Sequence, residues 1–254
     1  MPDSRQRASP RRIVIIGATS CIAEHCARLW AVPGATLILA GRDAGRLGRV
    51  AADLRVRSPG ARVDVMSGDL LDARAIRTLV DAIVQDGMPD RVLIAHGALP
   101  DQQACQRDLG AAFDALHVNA LSPVLFAEAF AGHMEAGGGV ITLVGSVAGD
   151  RGRRSNYVYG AAKGLVTRYA QGLQHRLAGS GSRLRVVLVK PGPTATPMTA
   201  HLPQRGLAPV EAVARRIVDG SAAGTPVVYA PRKWAAVMLV IRHLPAFVFN
   251  RMRI

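Results

Sequence analysis

The chain predicts a single α/β domain built on a doubly wound parallel sheet. Three observations carry that prediction. Short apolar, β-rich runs alternate with longer helical stretches from residue 12 to about residue 230, the pattern of a sheet covered on both faces. No internal repeat and no linker divides the chain. Finally, 254 residues with 49% hydrophobic content are enough for one large core.

The first strand is placed at 12–16, where Ile13-Val14-Ile15-Ile16 runs unbroken into Gly17. A helix over 21–31 follows, and Pro33-Gly34 turns the chain into a strand at 35–40. Next come a helix at 43–57, the turn Ser58-Pro59-Gly60, a strand at 62–66 and a helix at 72–86. A strand at 91–95 leads to one long helix over 104–134, which Gly137-Gly138-Gly139 ends. The second half repeats the rhythm: strand 139–145, helix 157–179, strand 184–189, helix 209–223 and strand 226–229. In such a sheet, ligands are expected at the carboxyl ends of the strands.

Both ends depart from this rhythm. Residues 1–11 read as a basic, disordered arm. Its Arg11-Arg12 pair faintly suggests an export signal, but Ile13–Ile16 is too short for a signal core and serves better as the first strand. Residues 232–254 form an apolar, basic tail: Ala235–Ile241 and Phe247-Val248-Phe249 are surrounded and interrupted by Arg232, Lys233, Arg242, His243, Arg251 and Arg253. The stretch is too short and too charged to span a bilayer, so the expectation is a helix lying at a membrane interface, or one packed on the domain or on a second subunit.

Composition bounds the function. Thirty-two basic residues against 18 acidic give a net charge of +14, which favours polyanionic partners. With only 4% aromatic residues and no stacking pair on any strand, nucleic acid is not expected among them. Cys21, Cys26 and Cys105 are an odd set with no C-x-x-C, so neither a disulfide framework nor a metal site is expected, and a reducing compartment is the simpler setting.

The chemistry concentrates in Tyr159-Gly160-Ala161-Ala162-Lys163. Four residues apart on a helix, Tyr159 and Lys163 share a face, where an ammonium can act on a phenol whose free pKa is about 10. Such a pair alone occurs often by chance. Here Ser146 stands 13 positions upstream, after Val140-Ile141-Thr142-Leu143-Val144. Asn119 precedes it, and Gly17-Ala18-Thr19-Ser20 follows the first strand.

In that order and spacing, residues 12 to about 230 resemble the short-chain dehydrogenase/reductase family, with its Rossmann-like sheet. The resemblance implies reduction of a carbonyl. Tyr159 would be the general acid and Lys163 would lower the phenol pKa and bond the nicotinamide ribose. Ser146 would hydrogen-bond the substrate oxygen, and Asn119 would hold a water linking Lys163 to solvent.

It also implies a nicotinamide dinucleotide. The family's T-G-x-x-x-G-x-G falls on Ile16-Gly17-Ala18-Thr19-Ser20-Cys21-Ile22-Ala23, where only Gly17 matches a glycine and Cys21 stands near the pyrophosphate path. Thr19, Ser20, Ile22 and the helix N-terminus would still receive phosphate. Gly41 leaves empty the place where NAD-preferring relatives carry an acid, and Arg42 beside it would pair with a 2′-phosphate. NADP(H) is therefore favoured, with NAD(H) as the alternative. By the same resemblance Asp69 would contact adenine, Gly97 the cofactor channel, and Pro191, Gly192, Thr194 and Thr196 the nicotinamide and phosphates. His96, in a stretch where the family has N-N-A-G, is read as neutral and non-catalytic.

The stretches 153–160, 196–202 and 237–245 look like those of the decaprenylphosphoryl-2-keto-erythro-pentose reductases within that family. The resemblance implies a polyprenyl-phosphate keto sugar as substrate, reduced to the arabinose form for cell-wall arabinan. It further implies a flavin-dependent oxidase as partner, and a cytoplasmic protein peripheral on the inner membrane. Arg151, Arg153 and Arg154 would receive the substrate phosphate. The alternatives are a soluble reductase of another ketone, such as a 3-ketoacyl thioester, and a non-catalytic dinucleotide sensor. Family habit implies a homo-oligomer through the helices around 104–134 and 157–179.

Overall fold

The structure, a computed structural model, describes residues 12–252 except residue 202. The basic arm at 1–11, Leu202 of the 196–202 segment and Arg253 of the tail therefore lie outside the described residues. Seven parallel strands form the sheet, in the order β3-β2-β1-β4-β5-β6-β7. They are β1 (Arg12–Ile16), β2 (Thr36–Gly41), β3 (Arg62–Ser67), β4 (Arg91–Ile94), β5 (Gly139–Val144), β6 (Leu184–Pro191) and β7 (Val227–Ala230). The order reverses between β1 and β4, which opens a crevice at the strands' carboxyl ends.

Burial on both faces explains why the inner strands read as nearly continuous apolar runs rather than alternating ones, while β3, at the edge, carries Arg62 and Asp64. Ile13 and Ile15 of β1 belong to one core with Ala23, Ala27 and Trp30 of α1 (Cys21–Trp30) and Val213 and Ile217 of α8 (Val210–Ala223). Val14 and Ile16 turn to the other face, into a core with Phe126 and Phe130 of α6 (Ser122–Met134) and Val166, Ala170 and Leu173 of α7 (Tyr157–Ser180). Helix α2 (Ala44–Arg57) and helix α3 (Ala73–Gln85) cover the β1–β3 end on opposite faces, and each is capped by an aspartate, Asp43 and Asp72.

The long helix expected at 104–134 is broken. Helix α4 (Gln102–Arg107) stops at Asp108, whose carboxylate accepts from the amide of Gly110 and starts α5 (Leu109–Leu116). Asp108 is a better cap than an interior helix residue, which is why the run splits there. Helix α5 passes into α6 through a π turn at His117–Leu121. The tail is helical: α9 (Lys233–His243) packs beside β7, and the short α10 (Ala246–Phe249) follows Pro245.

Candidate active site

Asn119, Ser146, Tyr159 and Lys163 converge on one cavity of about 160 Å³ at the carboxyl ends of β4, β5 and β6. Each is delivered by a local device. The π turn carries Asn119, fully buried; its Nδ2 donates to the Ala115 carbonyl at 2.9 Å and its Oδ1 accepts from the Ala98 amide at 3.0 Å. A widened turn of this kind turns one side chain out of the regular helical register. Gly97 is small for a reason: a Cβ there would lie 2.8 Å from Asn119 Oδ1.

Ser146 follows β5 and caps a 3₁₀ turn, its hydroxyl accepting from the Ala148 amide at 3.0 Å. That turn is wedged against α7. A Cβ on Gly149 would strike the Lys163 backbone at 2.5 Å, and one on Gly160 would lie 3.0 Å from the Ala148 carbonyl oxygen. The two glycines let the serine loop meet the helix beside Tyr159 and Lys163.

Lys163 is buried and donates to the Val144 carbonyl at 3.0 Å, with its Nζ 5.8 Å from the centre of the Tyr159 ring. Burial brings its pKa down to about 8. Burial pushes the Tyr159 phenol the other way, above its usual value; a hydrogen bond with Ser146 and the charge of Arg153 partly offset this. In the geometry shown, Arg153 adds its charge to the phenol, while the Lys163 ammonium donates to a carbonyl and also lies over the phenol ring. Arg153 is half-buried in the cavity wall and has no carboxylate partner among the described residues.

A second cavity, about 420 Å³, adjoins the first and runs to the carboxyl end of β2. Gly17, Thr19, Ser20, Cys21, Ile22, Gly41, Arg42, Gly97 and Thr196 line it. Gly17 has a φ of +77°, and a Cβ there would come within 2.6 Å of His96, so both conformation and space demand glycine. The Cys21 thiol lies 4.0 Å from His25 Nδ1, one turn along α1, and its pKa is raised by burial. The first turn of α1, half-buried in the cavity wall, the glycine at 17 and the arginines at the far end fit a dinucleotide.

Over residues 11–206 the chain matches the short chain dehydrogenase family. It belongs to that family. Short-chain dehydrogenases are NAD(P)-dependent oxidoreductases, and so is this chain. An uncharacterized oxidoreductase of Mycobacterium tuberculosis is 34% identical over 246 residues, 94% of this chain and 96% of that one. Sulfoacetaldehyde reductase 2 of Chromohalobacter salexigens is 32% identical over 191 residues, 74% of each chain. Among solved structures, a short-chain dehydrogenase from Sphingobium yanoikuyae in complex with NADPH superposes with a TM-score of 0.78 at 24% identity, covering 96% of each chain.

Most residues expected at a short-chain dehydrogenase site lie in the two cavities. Pro191, Gly192, Thr194 and Thr196 line the first. Asp69 does not reach the second: it is exposed, its carboxylate accepts from the Leu71 amide at 2.8 Å, and Leu70 and Leu71 line the wall instead. Of the three arginines expected to receive substrate phosphate, only Arg153 lines a cavity. Arg154 is exposed. Arg151 points to the tail, donating to the carbonyls of Ile241 and Leu244 at 2.6 Å each and stacking 3.9 Å above the Phe249 ring.

Sequence reasoning missed Arg46 and Asn156. Arg46, in the first turn of α2, lines the same cavity as Arg42, which precedes the helix, and donates to the Thr19 carbonyl at 3.4 Å. The available signal was a second arginine in the first turn of the helix that follows Arg42. Asn156, just before α7, lines the first cavity with a buried, unpartnered Oδ1. His96 is neutral, burial and the charges of Lys163 and Arg42 driving its pKa to about 3; its Nε2 lies 2.7 Å from the Ser122 hydroxyl.

Proposed function

We propose that this short-chain dehydrogenase reduces, at the expense of NADPH, a ketone that carries both an anionic group and a hydroxyl. A 2-keto sugar on a polyprenyl phosphate is the specific substrate favoured by the sequence resemblance. The observation that carries this reading is the pairing of Arg153 and Asn156 in the wall beside Tyr159: an uncompensated cation, and an acceptor that lacks a donor. A guanidinium suits a phosphate or sulfonate, and a lone amide oxygen suits a sugar hydroxyl. Sulfoacetaldehyde, named for the Chromohalobacter relative, is likewise a carbonyl compound with an anionic group.

NADP(H) is favoured over NAD(H) because Arg42 and Arg46 flank the spot that Gly41 leaves without a carboxylate. When bound, the reduced nicotinamide supplies the hydride. The chain does the rest. Tyr159 delivers a proton to the substrate oxygen from a phenol kept protonated by burial. Ser146 donates to the same oxygen as its charge grows. Lys163 would hold the ribose of the bound cofactor, and its ammonium, 5.8 Å from the centre of the Tyr159 ring, stabilises the emerging phenolate. Asn119 braces the Lys163 end of the cavity through Ala98. A flavin-dependent oxidase would supply the keto sugar.

The test is oxidation of NADPH and of NADH by the purified protein with polyprenylphosphoryl 2-keto-pentose made in situ by such an oxidase. Turnover that disappears in Tyr159→Phe and whose KM rises at least tenfold in Arg153→Gln is expected. If neither this sugar nor sulfoacetaldehyde is turned over while NADPH still binds, the anionic-ketone reading fails. Turnover of a 3-ketoacyl thioester alone would establish the other reductase reading.

A further inference from the structure

The last helices present two unlike faces. On the inner face of α9, Trp234, Met238 and Ile241 turn toward the domain, and a Cβ on Gly192 would collide with the Trp234 indole. Arg151 grips the carboxyl end of the same helix through Ile241 and Leu244. Helix α9 is thereby fixed in orientation against two active-site loops. Its remaining surface should be polar, as on an ordinary surface helix. It is instead apolar: Val237, Leu239 and Val240 are 39%, 55% and 62% exposed, and Phe247 of α10 is 67% exposed.

We propose that this face docks on the surface of an anionic lipid bilayer. Four exposed cations stand on or beside these helices, Arg232, Lys233, Arg242 and Arg251, with His243 exposed in the last turn of α9, and no aspartate or glutamate follows Asp219 in the sequence. Apolar residues with only basic charges beside them match the acyl boundary and head groups of anionic lipid. A second copy matches less well, because face-to-face pairing would set the same four cations against one another. With 11 residues, α9 falls far short of the roughly 20 needed to span, so it lies in the interface. The proposal stands independently of the substrate, since Val237, Leu239, Val240 and Phe247, which make the face, line neither cavity.

The experiment is flotation of the full chain with vesicles of phosphatidylglycerol and phosphatidylcholine in equal parts, against vesicles of phosphatidylcholine alone. At 0.1 M salt, recovery with the anionic vesicles should be at least tenfold higher, and should fall steeply at 0.5 M. Val240→Glu with Phe247→Glu should abolish it. Both side chains point to solvent, so this variant should keep its circular dichroism spectrum and its NADPH binding. Equal recovery of the variant, or recovery independent of lipid charge, would overturn the proposal. So would the absence of vesicle binding, and a variant that changes elution volume without any vesicle binding would show the face to be a contact between copies.

Discussion

Asp150 and Lys190 form an ion pair sealed inside the protein, their side chains 2% and 3% exposed. Tyr229 donates to the other carboxylate oxygen at 2.8 Å. The pair joins the loop that follows Ser146 to the strand that runs into Pro191 and Gly192, so one buried contact ties the substrate side of the cavity to the nicotinamide side. Removing one partner leaves an uncompensated buried charge, which typically costs about 3–5 kcal/mol. Lys190→Met should therefore lower stability by that order in urea titration, and adding Asp150→Leu should restore most of it. If the single variant unfolds at the wild-type midpoint, the pair is not holding the loops.

Tyr159→Phe should lower kcat by about 10²–10⁴-fold, the usual weight of a positioned acid. The KM for NADPH should stay within a few-fold. Steady-state rates and NADPH fluorescence titration separate the two.

The pH profile should be set by Lys163, because the phenol titrates above its usual value and remains an acid throughout the working range. Reduction should hold up to about pH 8 and then fall as the ammonium is lost. Stability moves the other way. The folded pKa is below the unfolded value, so between about 8 and 10.5 the unfolded chain binds a proton that the folded chain has released. Stability relative to Lys163→Met should accordingly rise with pH across that window. Paired rate and urea measurements from pH 7 to 10 check both signs.

Arg42→Ala combined with Arg46→Ala should raise the KM for NADPH about tenfold, the scale of one charge-assisted phosphate contact, and leave that for NADH nearly unchanged. An equal effect on both cofactors would move the 2′-phosphate elsewhere.

Gly17→Ala should weaken binding of either cofactor at least as strongly, because the added carbon meets His96 and the backbone is already left-handed. Thermal denaturation with and without NADPH would show the ligand-induced shift shrinking in the variant.

The sheet was readable in the sequence because strands buried on both faces are apolar almost throughout, as in Ile13–Ile16 of β1 and Leu37–Ala40 of β2. The edge strand β3, with Arg62 and Asp64, shows this least. The four candidate catalytic residues were legible because their order and spacing resemble those of the short-chain dehydrogenases, and the structure brings the four to one cavity. What escaped depends on partners far along the chain or on local side-chain bonds that compete with the regular elements. Arg151, Arg153 and Arg154 look alike in sequence; the tail carbonyls of Ile241 and Leu244 claim the first, the cavity wall holds the second and solvent takes the third. Asp69 sits at a familiar position but turns back on its own loop to cap Leu71. Asp108 divides a helix because a local capping bond competes with helix continuation. The arginines are sorted by distant contacts, whereas the Asp69 and Asp108 bonds are local turns that charge pattern and periodicity do not register.

The π turn at His117–Leu121 makes this site sensitive to length as well as to chemistry. It holds one residue more than a regular helical turn would. Losing a single residue there would leave α5 and α6 as one better-formed helix, while swinging the Asn119 amide away from Ala98. Helical content would rise and the brace beside Lys163 would vanish, so a shortened chain could fold well and still have a misassembled active site.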